Sequence, residues 1–482
     1  MPTELTWLST RELARKIASG EVSAVEALDD HLERIDEVNP LINAVVTLDV
    51  DGAMERAVAA DKAFAAGARL GPLHGVPMTH KDTHDTAGIR TTWGSPVYEH
   101  RVPEENALIV ERLQAAGVNT TGKTNVPEFA AGSHTFNPIF GTTVNPYDRT
   151  KSASGSSGGV GAALAAGIQA SGDGSDMGGS LRTPGSFNNV VGFRPSIGRI
   201  PSVPPKNPWS WLSTSGFMGR TVGDVALLMS VGCGPVPTSP TSIPEPGSVF
   251  DLPEFTLEGL YQPSLAGVRV GFAPDFNGLI DIESEVRTVI ESQYGVFESL
   301  GAHMSDASPD LSDADEVFSV QRAYDFAANW GEILRTQREK VKESVIWNTE
   351  KGFGLTVDEL VSKDAARVRM LQKLQTFFAD HDVLVTTMSQ VLPFDASIEY
   401  PTEINGKPMG DYLEWMRAAT LISPTGCPAV SVPAGFSASG LPIGIQIVAA
   451  PGKDVELLKV AHAFEAATGH HARRPVFPEA SC

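Results

Sequence analysis

Cysteine is nearly absent. Cys233, Cys427 and Cys482 are the three in 482 residues, far apart and odd in number. That excludes a disulfide framework and points to a reducing compartment. Basic residues are also scarce, 37 Lys and Arg against 58 Asp and Glu, for a formal charge of −21. Nucleic acid and anionic membranes are bound through basic patches, so neither is expected as a partner. No uninterrupted apolar stretch is long enough to span a bilayer. The opening Met1-Pro2-Thr3-Glu4-Leu5-Thr6-Trp7 lacks the basic patch and apolar run of a signal peptide. A cytoplasmic protein is the expectation.

Several catalytic signatures are missing as well. There is no G-x-S-x-G elbow, and no histidine has an evident Ser and Asp partner. His80 and His84 stand four apart but lack the glutamate of H-E-x-x-H, so they read as ordinary histidines and no metal is expected. Gly172-Asp173-Gly174 fails the dinucleotide pattern, because Met177 falls where its third glycine belongs. No phosphate-binding lysine follows. No cofactor is expected.

What is present is a chain with 41% hydrophobic residues, enough for a large core. Val22, Val25, Leu28, Leu32, Ile35 and Val38 recur at steps of three or four and predict a helix over 21–38, ended by Asn39-Pro40. Helices are also predicted over 52–66 and 105–116, followed by a strand at 118–121. Strand-like runs recur at 268–273, 382–387, 429–433 and 443–448. Alternating strands and helices argue for an α/β fold, a sheet covered by helices on both faces. The proline-rich 234–247 reads as an irregular connection. Residues 283–300 and 316–378 look mainly helical, the latter as a peripheral cap. No internal repeat is evident.

The densest signal is Lys151 to Arg182. Ser154-Gly155-Ser156-Ser157-Gly158-Gly159 and Met177-Gly178-Gly179-Ser180 bracket an Ala-rich helix former beginning at Val160. Glycines permit tight turns and bare N–H groups, and serines supply hydroxyl nucleophiles. Ser156 and Ser157 precede a helix, where free N–H groups favour negative charge. Lys81 follows Val76-Pro77-Met78-Thr79, at the end of a predicted strand. These are the components of acyl transfer, provided the lysine is neutral enough to serve as a base.

Three blocks resemble the amidase signature family: Gly75-Val76-Pro77 through Lys81-Asp82 to Ser95, Gly155 through Arg182, and Gly426-Cys427-Pro428 through Gly444. The resemblance implies a single amidase domain over 1–482, with a mixed sheet between helices and a variable, largely helical insertion over roughly 240–380. It implies Ser180 as nucleophile, Ser156 as bridging serine and Lys81 as base. The backbone N–H groups of Met177, Gly178, Gly179 and Ser180 are implied as the oxyanion hole. It also implies a cis peptide at Gly155–Ser156, with Asp176 fixing the Gly-rich turn and Arg182 pairing with a buried carboxylate. Ser154 stands where the family often has Gly, and Met177 where Thr or Ile is common.

The implied activity is hydrolysis of a small amide, with an aryl or alkyl acylamide the expected substrate and ester or carbamate cleavage chemically accessible. Phe129, Trp209, Trp211 and Cys427 are candidate substrate contacts, beside Trp93. One rival is the glutamine-hydrolysing subunit of a tRNA-dependent amidotransferase. Another is a non-catalytic binding protein on the same scaffold, disfavoured because all three catalytic groups are present. A homo-oligomer is compatible with the sequence, which does not decide it.

Overall fold

The computed structural model describes residues 5–203, 207, 209–255 and 261–478. Cys482 and Pro208 lie outside them.

A mixed sheet of eight strands crosses the molecule. From one edge to the other it runs His303–Ser305, Arg269–Phe272, Val383–Thr387, Pro442–Ala449, Ala429–Phe436, Val191–Arg194, Thr214–Gly219 and Ser171–Asp176. The first three strands pair in parallel and the rest antiparallel. Strand Pro442–Ala449 shows why helices cover both faces. Ile443, Ile445 and Ile447 enter the main apolar core with Leu457, Leu458 and Phe464 of helix Asp454–Thr468. Gly444 and Gln446, on the other face, meet helix Arg182–Phe187. The Gly444 N–H donates to Ser186 Oγ at 2.8 Å, and Arg182 Nη1 donates to Gln446 Oε1 at 2.6 Å. A strand buried on both sides alternates between two packing partners.

A smaller sheet of three strands, in the order Val45–Leu48, Asn119–Thr124, Pro77–Lys81, packs beside the larger sheet's edge strand Ser171–Asp176. His80 and Thr79 tie the two together: His80 Nδ1 lies 3.1 Å from Asp173, and Thr79 Oγ1 donates to Gln169 at 2.6 Å.

Two expectations need amending. The helix predicted to end at Asn39-Pro40 runs from Ala24 to Ile42 with Pro40 in its last turn. Asn43 closes it in the left-handed conformation at φ 53°, its N–H bonding Asn39 O at 2.8 Å. The Asn39 side chain holds the chain that follows, accepting from the N–H groups of Ala44 and Val45 at 2.8 Å each. The region 240–380 is not peripheral throughout. Its helix Ala314–Gln337 packs against both Glu343–Phe353 and Val357–Asp380, but Arg269–Phe272 and His303–Ser305 form the far edge of the main sheet. Among the described residues no helix is long and apolar enough to cross a membrane.

Candidate active site

Strand Pro77–Lys81 ends at Lys81, and helix Gly158–Ala165 begins after Ser157. Gly159 lets that helix approach closely, since a Cβ there would stand 2.4 Å from Asn125 N. The two elements meet at the lysine. Lys81 Nζ, with no solvent exposure, donates to Ser156 Oγ at 2.8 Å, Ser157 Oγ at 2.9 Å and Ser175 Oγ at 3.1 Å. The Gly155–Ser156 peptide is cis. Ser154 adopts φ 62°, a conformation natural to the glycine that the resembled family often has there. Burial pushes the Lys81 pKa down to about 7, against the opposing pull of Asp176 and Asp173. A lysine surrounded by hydroxyls rather than carboxylates can lose its proton near neutral pH.

The turn bearing Ser180 hangs from Asp176, the last residue of strand Ser171–Asp176. Its carboxylate accepts from Gly179 N–H at 2.9 Å and Leu181 N–H at 3.2 Å. Arg182 grips it through Nη2 at 2.9 Å and Nε at 3.0 Å, and Arg194 Nη1 lies 3.2 Å away. Burial alone would raise this carboxyl's pKa, but the two guanidinium groups overcome it and hold the group well below the usual carboxylate range. Gly179 sits at φ +102°, and a Cβ there would come within 2.5 Å of the Ala419 methyl. Its N–H is committed to Asp176. Among the described residues, the N–H groups of Met177, Gly178 and Ser180 have no such partner.

Ser156, Ser175, Met177, Gly178 and Ser180 form part of the wall of a cavity of about 900 Å³. No hydrogen bond links Ser156 to Ser180 among the described residues; the nearest tie is Ser157 N–H to Ser180 O at 3.1 Å. Apo sites often show such looseness, which closes when substrate binds. Aromatic rings make one wall: Phe129 and Trp330 lie 4.3 Å apart between centroids, and Trp93 meets Trp330 edge-on at 5.4 Å. The mouth is polar, with Asp85 paired to Arg101 at 2.7 Å and Glu104 and Glu105 beside it.

The other sequence candidates fall in three places. Phe129 lines the cavity. Trp209 and Trp211 do not: Trp209 is 68% exposed, and Trp211 lies against the Arg367 guanidinium 3.6 Å from its ring centre. A tryptophan in a loop gives no sign of which way it points. Cys427 is fully buried away from the cavity wall, its thiol pushed up to about 12 by burial. His80 and His84 both turn Nδ1 to Asp173. Among the described residues no group of three or more His, Cys, Asp or Glu side chains is arranged to hold a metal. The sequence reading assigned no role to Ser157, a member of the first serine-glycine cluster, or to Ser175, just ahead of the second, although both share the lysine with Ser156. It also passed over Arg322, on the cavity wall.

The likeness to known proteins defines the class, an enzyme that hydrolyses amides. The family model described as Amidase matches residues 26–458, and the chain belongs to the amidase signature family. The chain is 34% identical to an acylamidase of Rhodococcus erythropolis, over 98% of each sequence. It is also 34% identical to a glutamyl-tRNA(Gln) amidotransferase subunit of Ralstonia nicotianae, over 98% of this chain and 100% of the relative. Among solved structures it resembles a bacterial aryl acylamidase with a TM-score of 0.89 and 25% identity, over 98% of this chain and 100% of the other.

Proposed function

We propose that the chain is an amidase of small aryl or alkyl acylamides, acting through an acyl-enzyme on Ser180. The observation that carries the mechanism is Lys81: a fully buried amine, 2.8 Å from Ser156 Oγ, with its pKa lowered to about 7. Neutral Lys81 accepts the proton of Ser156, and Ser156 takes that of Ser180 as the latter attacks the carbonyl carbon. The N–H groups of Met177, Gly178 and Ser180 receive the negative charge on the carbonyl oxygen. Gly179, counted with them from sequence, serves instead by holding the turn to Asp176. The proton now on Lys81 returns through Ser156 to the leaving nitrogen, so an amine departs rather than an amide anion. Water then cleaves the acyl-enzyme by the same path in reverse.

Support for the substrate class comes from the aromatic wall of the cavity and from the likeness to acylamidases. A second reading, hydrolysis of glutamine for transfer to a partner, has the equal identity to the amidotransferase relative in its favour. The deciding experiment is hydrolysis of anilides, aliphatic amides, a carbamate and glutamine by the purified chain against its Ser180→Ala variant. Anilide or carbamate turnover that vanishes in the variant upholds the amidase. Turnover of glutamine alone upholds the second reading. Anilide turnover that survives Ser180→Ala refutes the mechanism.

A further inference from the structure

Helix Ala314–Gln337 turns one face to the site. Phe318, Arg322, Phe326 and Trp330 follow one another at steps of four along it, the spacing that aligns side chains on a helix. Phe318 packs at the reaction centre, where a Cβ on Gly178 would stand 3.0 Å from its ring. Arg322 comes next, about 6 Å further along the axis. It lines the cavity with 4% exposure, its Nη1 3.1 Å from Met177 Sδ.

Every hydrogen-bond partner of this guanidinium is neutral, and the one carboxylate that acts on it, Asp325, does so through space. Nε donates to Asn348 Oδ1 at 3.2 Å and Nη2 to Tyr412 Oη at 2.8 Å, and the Phe326 ring centre lies 4.5 Å away. Arg322 forms no ion pair among the described residues. Asp325, on the same helix, instead accepts from Gln321 at 3.0 Å, and its other oxygen has no hydrogen-bond partner. An arginine taken out of water without a directly bonded anion is costly, and ring faces offset only part of the cost. Of its five N–H donors, three are engaged, one of them with a weak sulfur acceptor. The side chain lines the cavity, and of the carboxylates that also line it Asp85 is paired with Arg101 while Glu104 and Glu105 are exposed.

We propose that Arg322 recognises a carboxylate on the substrate, so that the enzyme's preferred amides carry an acid group about one helical turn from the scissile carbonyl. The proposal rests on reading the cavity as an amidase site. A planar guanidinium suits a carboxylate through paired charge-assisted hydrogen bonds. The acidic mouth orients the substrate, favouring its acid end at depth and its uncharged end outward.

The test compares binding of three probes to the Ser180→Ala enzyme by calorimetry: butyranilide, succinanilic acid with its acid on the acyl side, and N-butyryl-4-aminobenzoate with its acid on the amine side. At least one acid should bind about tenfold or more tightly than butyranilide. That advantage should disappear in Ser180→Ala/Arg322→Gln and survive in part in Ser180→Ala/Arg322→Lys, and the preferred acid identifies the side. Butyranilide binding as well as both acids, or an advantage that persists without Arg322, overturns the proposal. Binding does not need turnover, so an acid that binds through Arg322 while the wild-type enzyme hydrolyses none of the three amides would refute the amidase reading and leave the anion site standing.

Discussion

Asp176 and Arg182 form a two-pronged ion pair, 2.9 and 3.0 Å, with neither side chain exposed to solvent. The same carboxylate holds the N–H of Gly179, so one anion fixes both the turn before Ser180 and the helix after it. Asp176→Asn keeps the shape but leaves Arg182 and Arg194 buried without a charge partner. Removing one member of such a pair costs about 3–5 kcal/mol. Guanidinium unfolding followed by circular dichroism should show that loss, with activity falling as well. A variant as stable as the parent would mean the cluster does not carry the turn.

The lysine makes a prediction about pH. Only neutral Lys81 can accept a proton, and its pKa is lowered to about 7, so the competent fraction grows as pH rises through that value. The kcat/KM of an uncharged anilide should therefore climb below about pH 7 and level off above it, since this ratio reports the free enzyme. Lys81→Ala should lower it by about 10²–10⁴ and remove the climb. A maximum in clear acid, or a Lys81→Ala enzyme with the parent's profile, would contradict the role.

Gly179 makes a third prediction. A methyl group there meets the Ala419 side chain at 2.5 Å and Thr183 Oγ1 at 2.7 Å, on a backbone at φ +102°. Gly179→Ala must therefore shift the turn that aims the N–H groups of Gly178 and Ser180. Losing one such donor costs about 10²–10³ in kcat, and this variant should fall in that range with KM changed far less. Wild-type kcat in a folded Gly179→Ala protein would place the oxyanion donors elsewhere.

The strand predicted before Lys81 is present as Pro77–Lys81, and the helix predicted from Val160 starts two residues earlier, at Gly158. Both were legible because apolar runs there are bounded by glycine or proline. His303–Ser305 was not, because three residues of mixed polarity carry no period of their own and pair only because Arg269–Phe272 lies alongside. At the site, the serine-glycine clusters stood out in sequence as groups, whereas their sharing of one lysine is a matter of distance. Arg322 was hidden for a related reason. It sits in a charge-rich helical stretch where arginine usually meets solvent, and only the aromatic residues four before and four after it mark that face as inward. Trp209 and Trp211 misled in the opposite direction, by being large and apolar.

Lys81 belongs to the small sheet, and the serines it touches to the large sheet's edge strand and to the turn before helix Gly158–Ala165, so the amine is buried only when the two sheets dock. In the unfolded chain that amine titrates near 10.5, and in the folded one near 7. Between those values the folded chain binds fewer protons, so this group's contribution to stability is greatest above 10.5 and declines as the solution is acidified toward 7. Refolding in weak buffer near pH 8.5 should therefore release about one proton per molecule from this residue and acidify the medium. The base is made ready by the folding of the chain itself, its proton discharged to solvent before any substrate arrives.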